Sequence, residues 1–440
     1  MQRLIENELI AWKDQPDRMS LLLRGARQIG KTYVVESFGK THFFNMLTIN
    51  FERQREYLSC FESLEPQQIL TAIQLISRES IIPGKTLLFL DEIQECPRAI
   101  MALRYFKEML PELHIIGAGS LLEFALNSED FRMPVGRVIS LYMKPLSFKE
   151  FLMAMGYHEL DNYLANIHLS TVVNPAVEQQ LQTLLHRYFI VGGMPAVVDN
   201  YIKHNDLRQC QILQSALLST YRDDFAKYAT HAKHKYLQRL LEQAPGMVGQ
   251  HFRYSRIDPD MQSRDLKQAL EALLYAGIIY KIQQTSASDL PLSTQSNEKK
   301  FKLLFLDIGL VKASQMLDTE LLQQKDLLLI NRGAMAEQFV GQELLAYSDP
   351  YLPQQLYYWE RDKQGSTAEV DYVISINENI IPLEVKAGKT GSLRSIQQFL
   401  TEKKQTIGVR LSMKSLSFEN NILSVPLYLI HELKRLIKSV

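Results

Sequence analysis

Apolar and polar positions follow two rhythms along this chain of 440 residues. Short unbroken apolar runs at residues 19–24, 85–90 and 113–120 have the length and character of strands buried on both faces. Stretches with apolar residues at helical spacing lie between them. With residues 42–51 and 137–143, the runs make five strands separated by helices, which predicts βα repeats and a largely parallel sheet covered on both faces.

From Pro145 to about Gln324 the rhythm turns mainly helical. Residues 148–152 and 179–190 carry apolar side chains at helical spacing. Gly192-Gly-Met-Pro195 interrupts them, either as a hinge or as a plain turn between helices. Residues 265–274 form an amphipathic helix, followed by a strand-like run from Tyr275, a Ser/Thr-rich loop to Lys300 and a second strand at 301–306. That is the outline of a winged helix. Beyond it, a helix at 331–345 precedes strand-like runs at 356–361, 369–376 and 379–387, then a helix at 392–404 and a strand at 406–413. The pattern divides the chain into residues 1–144, 145–324 and 325–440.

Composition adds limits rather than detail. With 46% hydrophobic and 22% charged residues the chain is an ordinary folded protein. Its 49 basic and 49 acidic residues cancel, so no broad field draws it to nucleic acid, and any such contact is local. Cys60, Cys96 and Cys210 are distant from one another and odd in number, against both a disulfide framework and a zinc site. No run of eighteen apolar residues and no export signal is visible, so a cytoplasmic protein without a membrane partner is expected.

The sharpest chemistry lies at Gly25-Ala-Arg-Gln-Ile-Gly30-Lys31-Thr32, a G-x-x-x-x-G-K-[ST] match between a strand and a helix. Backbone N–H groups of Gly25, Ala26, Arg27, Gln28, Ile29 and Gly30, with Lys31, Thr32 and Tyr33 behind them, are expected to cradle the phosphates of ATP. Lys31 reaches the β- and γ-phosphates, and the Thr32 hydroxyl ligates Mg2+. Leu87-Leu-Phe-Leu-Asp91-Glu92 reads as the matching Walker B strand. Asp91 holds the metal and Glu92 polarises the attacking water. The strand at 113–120 ends in Ser120, which serves either as a sensor of the γ-phosphate or as the N-cap of a helix at 121–126.

These residues carry a family resemblance. The P-loop, Asn50-Phe-Glu52, Leu90-Asp-Glu-Ile-Gln94, Gly119-Ser-Leu-Leu122, Gly136-Arg137 and Pro145-Leu-Ser-Phe-Lys-Glu-Phe151 are similar to the AAA-type ATP-binding proteins of bacteria and archaea that carry a C-terminal domain of unknown function. Gly192-Gly-Met-Pro195, Leu306-Asp-Ile-Gly309 and Glu369-Val-Asp-Tyr372 extend it along nearly the whole chain. The resemblance implies an AAA-like P-loop NTPase with a parallel sheet, a helical and winged-helix middle, and a nuclease-like α/β end. It also places Arg137 near the nucleotide, where an arginine stabilises charge on the γ-phosphate. Ala118 departs from the threonine that the sensor strand of such proteins often shows.

The C-terminal αβββαβ order resembles the restriction-endonuclease-like, PD-(D/E)xK, fold. Asp371 and Glu384-Val-Lys386 fit its site. Residues two apart on a strand share a face, and the neighbouring strand brings Asp371 beside them. Asp371 and Glu384 bind Mg2+, Lys386 orients a water, and Glu337 adds a carboxylate from the helix. In the winged-helix segment Lys299, Lys300, Lys302, Arg253, Arg256 and Arg264 are candidate phosphate contacts. Two readings follow. One is an ATPase acting on DNA; the alternative is an ATP-dependent switch or scaffold for a protein partner or a second copy, with an inactive nuclease-like domain.

Overall fold

A computed structural model describes residues 1–120, 122, 136–226, 231–258, 263–315, 332–362, 368–388 and 392–440. The expected helix at 121–126, Leu122 apart, and the first residue of the helix at 331–345 lie outside the described residues. The chain forms two compact units. The first holds Met1–Lys144 with Tyr275–Gly277 and Asp349–Pro353, and the second holds the remainder. The boundary expected at residue 325 falls inside the second unit.

In the first unit, β1 (Ser20–Arg24), β2 (Asn45–Asn50), β3 (Thr86–Asp91), β4 (His114–Gly119) and β5 (Val138–Tyr142) build a sheet in the order β2-β3-β4-β1-β5. Every pairing is parallel. Leu21, Leu22, Leu23, Leu87, Leu88, Phe89 and Leu90 are fully buried, which is why these strands read as unbroken apolar runs. Ile69 and Ile73 of the helix Pro66–Ser77, and Ala99, Leu103 and Phe106 of the helix Pro97–Met109, join Leu22, Leu88 and Leu90 in one core. Strand β4 lies between β1 and β3, so three strand ends converge where the phosphate loop begins. Cys60, Cys96 and Cys210 are free and buried.

The second unit is built on an eight-stranded mixed sheet, β12-β13-β11-β10-β9-β8-β6-β7. Its strands are β6 (Ile279–Thr285), β7 (Ser296–Phe305), β8 (Leu356–Glu360), β9 (Glu369–Ile376), β10 (Asn379–Val385), β11 (Gly408–Ser412), β12 (Ser417–Glu419) and β13 (Ile422–Pro426). Strands β8, β9 and β10 form an antiparallel meander, and β11 returns parallel to β10 after the helix Arg394–Lys403. The helix Ser263–Tyr275 and the antiparallel β6–β7 hairpin are present. The hairpin is not a free wing, because β6 also pairs in parallel with β8 and continues the sheet.

The helix Arg332–Ala346 turns a polar face inward. Gln338 bonds both the N–H and the C=O of Phe305, Gln342 accepts from Ile308 N and donates to Tyr188, and Glu343 accepts from Phe148 N at 3.0 and 3.1 Å. All three side chains are buried. Asp307 caps the helix Ile308–Ser314 through Leu310 N and accepts from Gly193 N at 2.6 Å. Gly192 has φ +72°, and a Cβ there would strike the Asp307 carboxylate. Gly192-Gly193 and Asp307 are thus two halves of one buried contact, and the break in the helical rhythm marks close packing.

Burial pushes the Glu343 carboxyl up to about 8 from an ordinary 4.5, against the hydrogen bonds it accepts. The unfolded chain therefore releases this proton first. Its contribution to stability is complete below pH 4.5 and is lost as pH rises through about 8. Glu343→Gln is expected to flatten that decline, by at most about 1.4 kcal/mol per pH unit. Urea midpoints of the two proteins, compared at pH 5 and pH 9, check it; parallel shifts in both proteins would assign the slope to other groups.

Candidate functional site

The phosphate loop leaves β1 at Arg24 and enters the helix Lys31–His42. Gly25 adopts φ +145°, and a Cβ on it would lie 2.5 Å from the Met143 carbonyl, so no larger residue fits this turn. Ala26 and Ile29 are buried and Gln28 holds φ +64°, which leaves the loop main chain to face a ligand. The Lys31 ammonium donates to the Gly25 and Ala26 carbonyls at 3.0 and 2.8 Å. Burial lowers its pKa to about 8, with Glu92 and Asp91 opposing the shift. Tyr33 is exposed on the first turn.

Arg3, from ahead of the helix Ile5–Asp14, fixes the loop from beneath. It is 5% exposed, and its guanidinium donates to Ile29 O at 3.0 Å and Lys144 O at 2.6 Å. No local motif announces this residue.

Asp91 ends β3 beside Ala118 of β4, as Arg24 ends β1 beside Gly119. Its carboxylate accepts from Thr32 Oγ1 at 3.2 and 3.3 Å and from Asn50 Nδ2 at 2.9 Å. Burial, then Glu92, raises its pKa, and the two hydrogen bonds hold it back. Glu92 sits in the left-handed region, φ +49°, a strained conformation for a non-glycine residue. Its Oε2 accepts from Gln94 Nε2 at 2.7 Å. Ser120 follows β4 between these strand ends, with its hydroxyl buried and without a partner among the described residues. Asn50 and Gln94, as positioners of the two carboxylates, escaped the sequence reading, although both stand in its motifs.

Arg137 does not join this group. It precedes β5, whose first residue Val138 pairs with Ser20 at the start of β1. The loop departs from the other end of β1, roughly 16 Å away for a five-residue strand. Its guanidinium instead meets Glu108 at 3.1 Å. The expectation of an arginine at the γ-phosphate is corrected on that ground.

The second unit assembles Glu337, Asp371, Glu384 and Lys386. Asp371 on β9 accepts from Val385 N at 2.7 Å, and Lys386 lies 2.5 Å from Glu384 Oε1. Glu384 is 5% exposed, and its Oε2 has no partner among the described residues. Burial and then Asp371 push Glu337 up to about 8 and Glu384 up to about 7; burial likewise raises Asp371. The crowding of these carboxylates leaves an excess of negative charge that raises their affinity for protons or a cation.

Lys302 is a further correction. It was expected at the wing surface beside Lys299 and Lys300, which are exposed. Instead it points inward with 2% exposure, contacts Glu369 and lies 3.7 Å from Glu337 Oε2. Its place on β7 beside the carboxylates holds it there. Arg253, Arg256 and Arg264 are exposed, as phosphate contacts must be. His251, Glu360 and Glu369 also gather within metal-binding distance. There His251 bonds Glu369 at 2.7 Å, and Lys300 and Lys302 already engage the two carboxylates.

Residues 17–152 match the model of an AAA domain. Residues 182–321 and 332–430 match two domains of unknown function, DUF8612 and DUF4143. No curated protein matches. Among solved structures, the Walker-type ATPase Paby2304 of Pyrococcus abyssi is 15% identical with a TM-score of 0.45, over 70% of this chain and 94% of its own. The Aeropyrum pernix Orc1 protein, solved in complex with DNA, is 13% identical with a TM-score of 0.30, over 72% of this chain and 93% of its own. The Thermotoga maritima RuvB Holliday junction branch migration motor gives 15% and 0.30, over 63% and 88%. Residues 17–152 thus match an AAA-type domain, and the parallel five-stranded sheet with its phosphate loop gives them an α/β P-loop fold. No described helix is long and apolar enough to cross a membrane.

Because Asn50 holds Asp91 and Arg137 is remote, Asn50→Ala is expected to weaken Mg·ATP binding roughly 10- to 100-fold. Arg137→Ala should leave it within about twofold, inside ordinary surface effects. Isothermal titration of both variants checks the pair, and equal losses would contradict the geometry.

Proposed function

We propose that the chain is a Mg2+-dependent ATPase that acts on DNA through a winged-helix and nuclease-like second unit. The observation that carries the ATPase reading is the arrangement of Lys31, Thr32, Asn50, Asp91 and Glu92 around one loop of main-chain amides. Thr32 and Asp91 offer hard oxygen donors within 3.3 Å of each other, a set that suits Mg2+. Bound there, the ion neutralises charge on the β- and γ-phosphates.

The chain's own groups do the rest. Lys31 exchanges the Gly25 and Ala26 carbonyls for phosphate oxygens, and their negative charge keeps it an ammonium. The loop N–H groups and the N-terminus of the helix Lys31–His42 bind the remaining oxygens. Glu92 accepts a proton from the attacking water, with Gln94 setting its direction, and the Ser120 hydroxyl, without a partner among the described residues, donates to the γ-phosphate or that water.

In the second unit, the sheet order around β8, β9, β10 and β11 and the grouping of Asp371, Glu384 and Lys386 support a PD-(D/E)xK reading. Glu384 Oε2, without a partner among the described residues, fits a divalent cation. Such an ion supplies Lewis acidity to a phosphodiester and a more acidic water. Asp371 and Glu384 would hold it, and Lys386 would orient the water. The exposed bases Arg253, Arg256, Arg264 and Lys299 would bind the flanking phosphates.

Lys31→Ala is expected to remove ATP binding. Glu92→Gln should keep binding while turnover falls about 100- to 10,000-fold, the usual contribution of a general base. Steady-state hydrolysis with and without DNA measures both this and the partner class, and a rate indifferent to any DNA would favour a protein partner.

Supercoiled plasmid incubated with Mg2+ or Mn2+ should be nicked by the wild-type chain and spared by Asp371→Asn. Nicking that survives the substitution would sink the nuclease assignment.

A further inference from the structure

Lys302 is the least expected member of the carboxylate cluster, and its position limits what else the cluster can hold. Its ammonium contacts Glu369 Oε1, lies 3.7 Å from Glu337 Oε2, and stands 5.3 Å from the centre of the Tyr358 ring. Asp371 also acts on its charge. With the side chain 2% exposed, no solvent layer screens these interactions.

The formal charges around it can be balanced. Fully ionised, as a bound cation would keep them, Glu337, Glu369, Asp371 and Glu384 bring four negative charges, and Lys302 and Lys386 bring two positive ones. Glu360 is matched by Lys300 at 2.7 Å, and His251, 2.7 Å from Glu369, is left out of the count. A deficit of two positive charges remains, which one divalent ion closes. Glu384 Oε2, without a partner among the described residues, lies beside Asp371, and its own lysine partner is Lys386, not Lys302. Two-ion centres hold their cations about 3.5–4 Å apart between shared carboxylates. A fixed ammonium at Glu337 and Glu369 repels a second ion from that space and supplies its charge instead.

We propose that Lys302 is a built-in counter-cation that limits this cluster to a single divalent ion, held by Asp371 and Glu384. The proposal rests on the reading of the cluster as a metal centre. Lys302 is a positioning residue here, since its charge acts through Glu337 and Glu369.

Mn2+ binding to the full-length, nucleotide-free protein tests it, with the ions counted by the loss of the free-ion electron paramagnetic resonance signal. Asp371→Asn and Glu337→Gln are measured in parallel in each background, so that only ions dependent on this cluster are counted. The wild-type chain should bind one such ion, Lys302→Arg should also bind one, and Lys302→Met should bind two. One ion in both the wild type and folded Lys302→Met would overturn the proposal while leaving the metal centre intact. No Asp371-dependent ion in any of the proteins would remove the metal centre itself, and the proposal with it. Two ions in the wild type contradict a resident counter-cation outright, and should Lys302→Met fail to fold, Lys302→Gln takes its place under the same criteria.

Discussion

A charge taken out of water has to be met by an opposite charge, by hydrogen bonds or by a ligand, and both candidate sites are organised by that constraint. In the first unit, Lys31 is 7% exposed and Asp91 5%. The lysine is turned onto two loop carbonyls, and the carboxylate is shared by Thr32 and Asn50. These contacts cost little to exchange. A triphosphate with its cation offers stronger partners to the same atoms, so the arrangement that satisfies the buried charges also prepares the site to bind.

In the second unit the same constraint is met only in part. Lys302 and Lys386 answer some of the carboxylate charge, and the raised pKa values of Glu337 and Glu384 report what is left over. Near this centre the polar face of the helix Arg332–Ala346 is buried against Phe148, Phe305, Ile308 and Tyr188. Because Gln338, Gln342 and Glu343 each serve a specific backbone or hydroxyl group, sliding the helix would orphan several at once. Glu337, on the same helix, is thereby held beside Asp371.

How much of this was legible in the sequence follows from the range of each interaction. The phosphate loop is read easily, since main-chain chemistry demands glycines and Lys-Thr at a fixed local spacing. The all-buried parallel strands were equally visible as apolar runs. Arg3, 26 residues from the carbonyl it holds, and Asn50, 41 residues from Asp91, act only through the sheet and leave no periodic mark. Arg137 was misplaced because its Gly-Arg pair indicates a strand start without saying which end of the sheet that start occupies. Lys302 was misread as a wing lysine because three lysines in four residues look like a solvated edge. Burial along β7 begins at Phe301, so Lys302 is enclosed while Lys300, on the same face, stays exposed, and only the partner strands reveal that carboxylates await it.

A chain with 49 basic and 49 acidic residues has no general attraction for DNA, so approach to a phosphodiester depends on local balance. The carboxylate cluster by itself repels phosphate. Each positive charge placed in it changes that repulsion in proportion, and Lys302 and Lys386 remove half of it without any ion. A divalent cation would remove the remainder and turn the same oxygens into a seat for the anion. Under the proposed function, metal occupancy and DNA engagement in the second unit would be two aspects of one electrostatic event, with Lys302 setting how much charge the ion has left to supply.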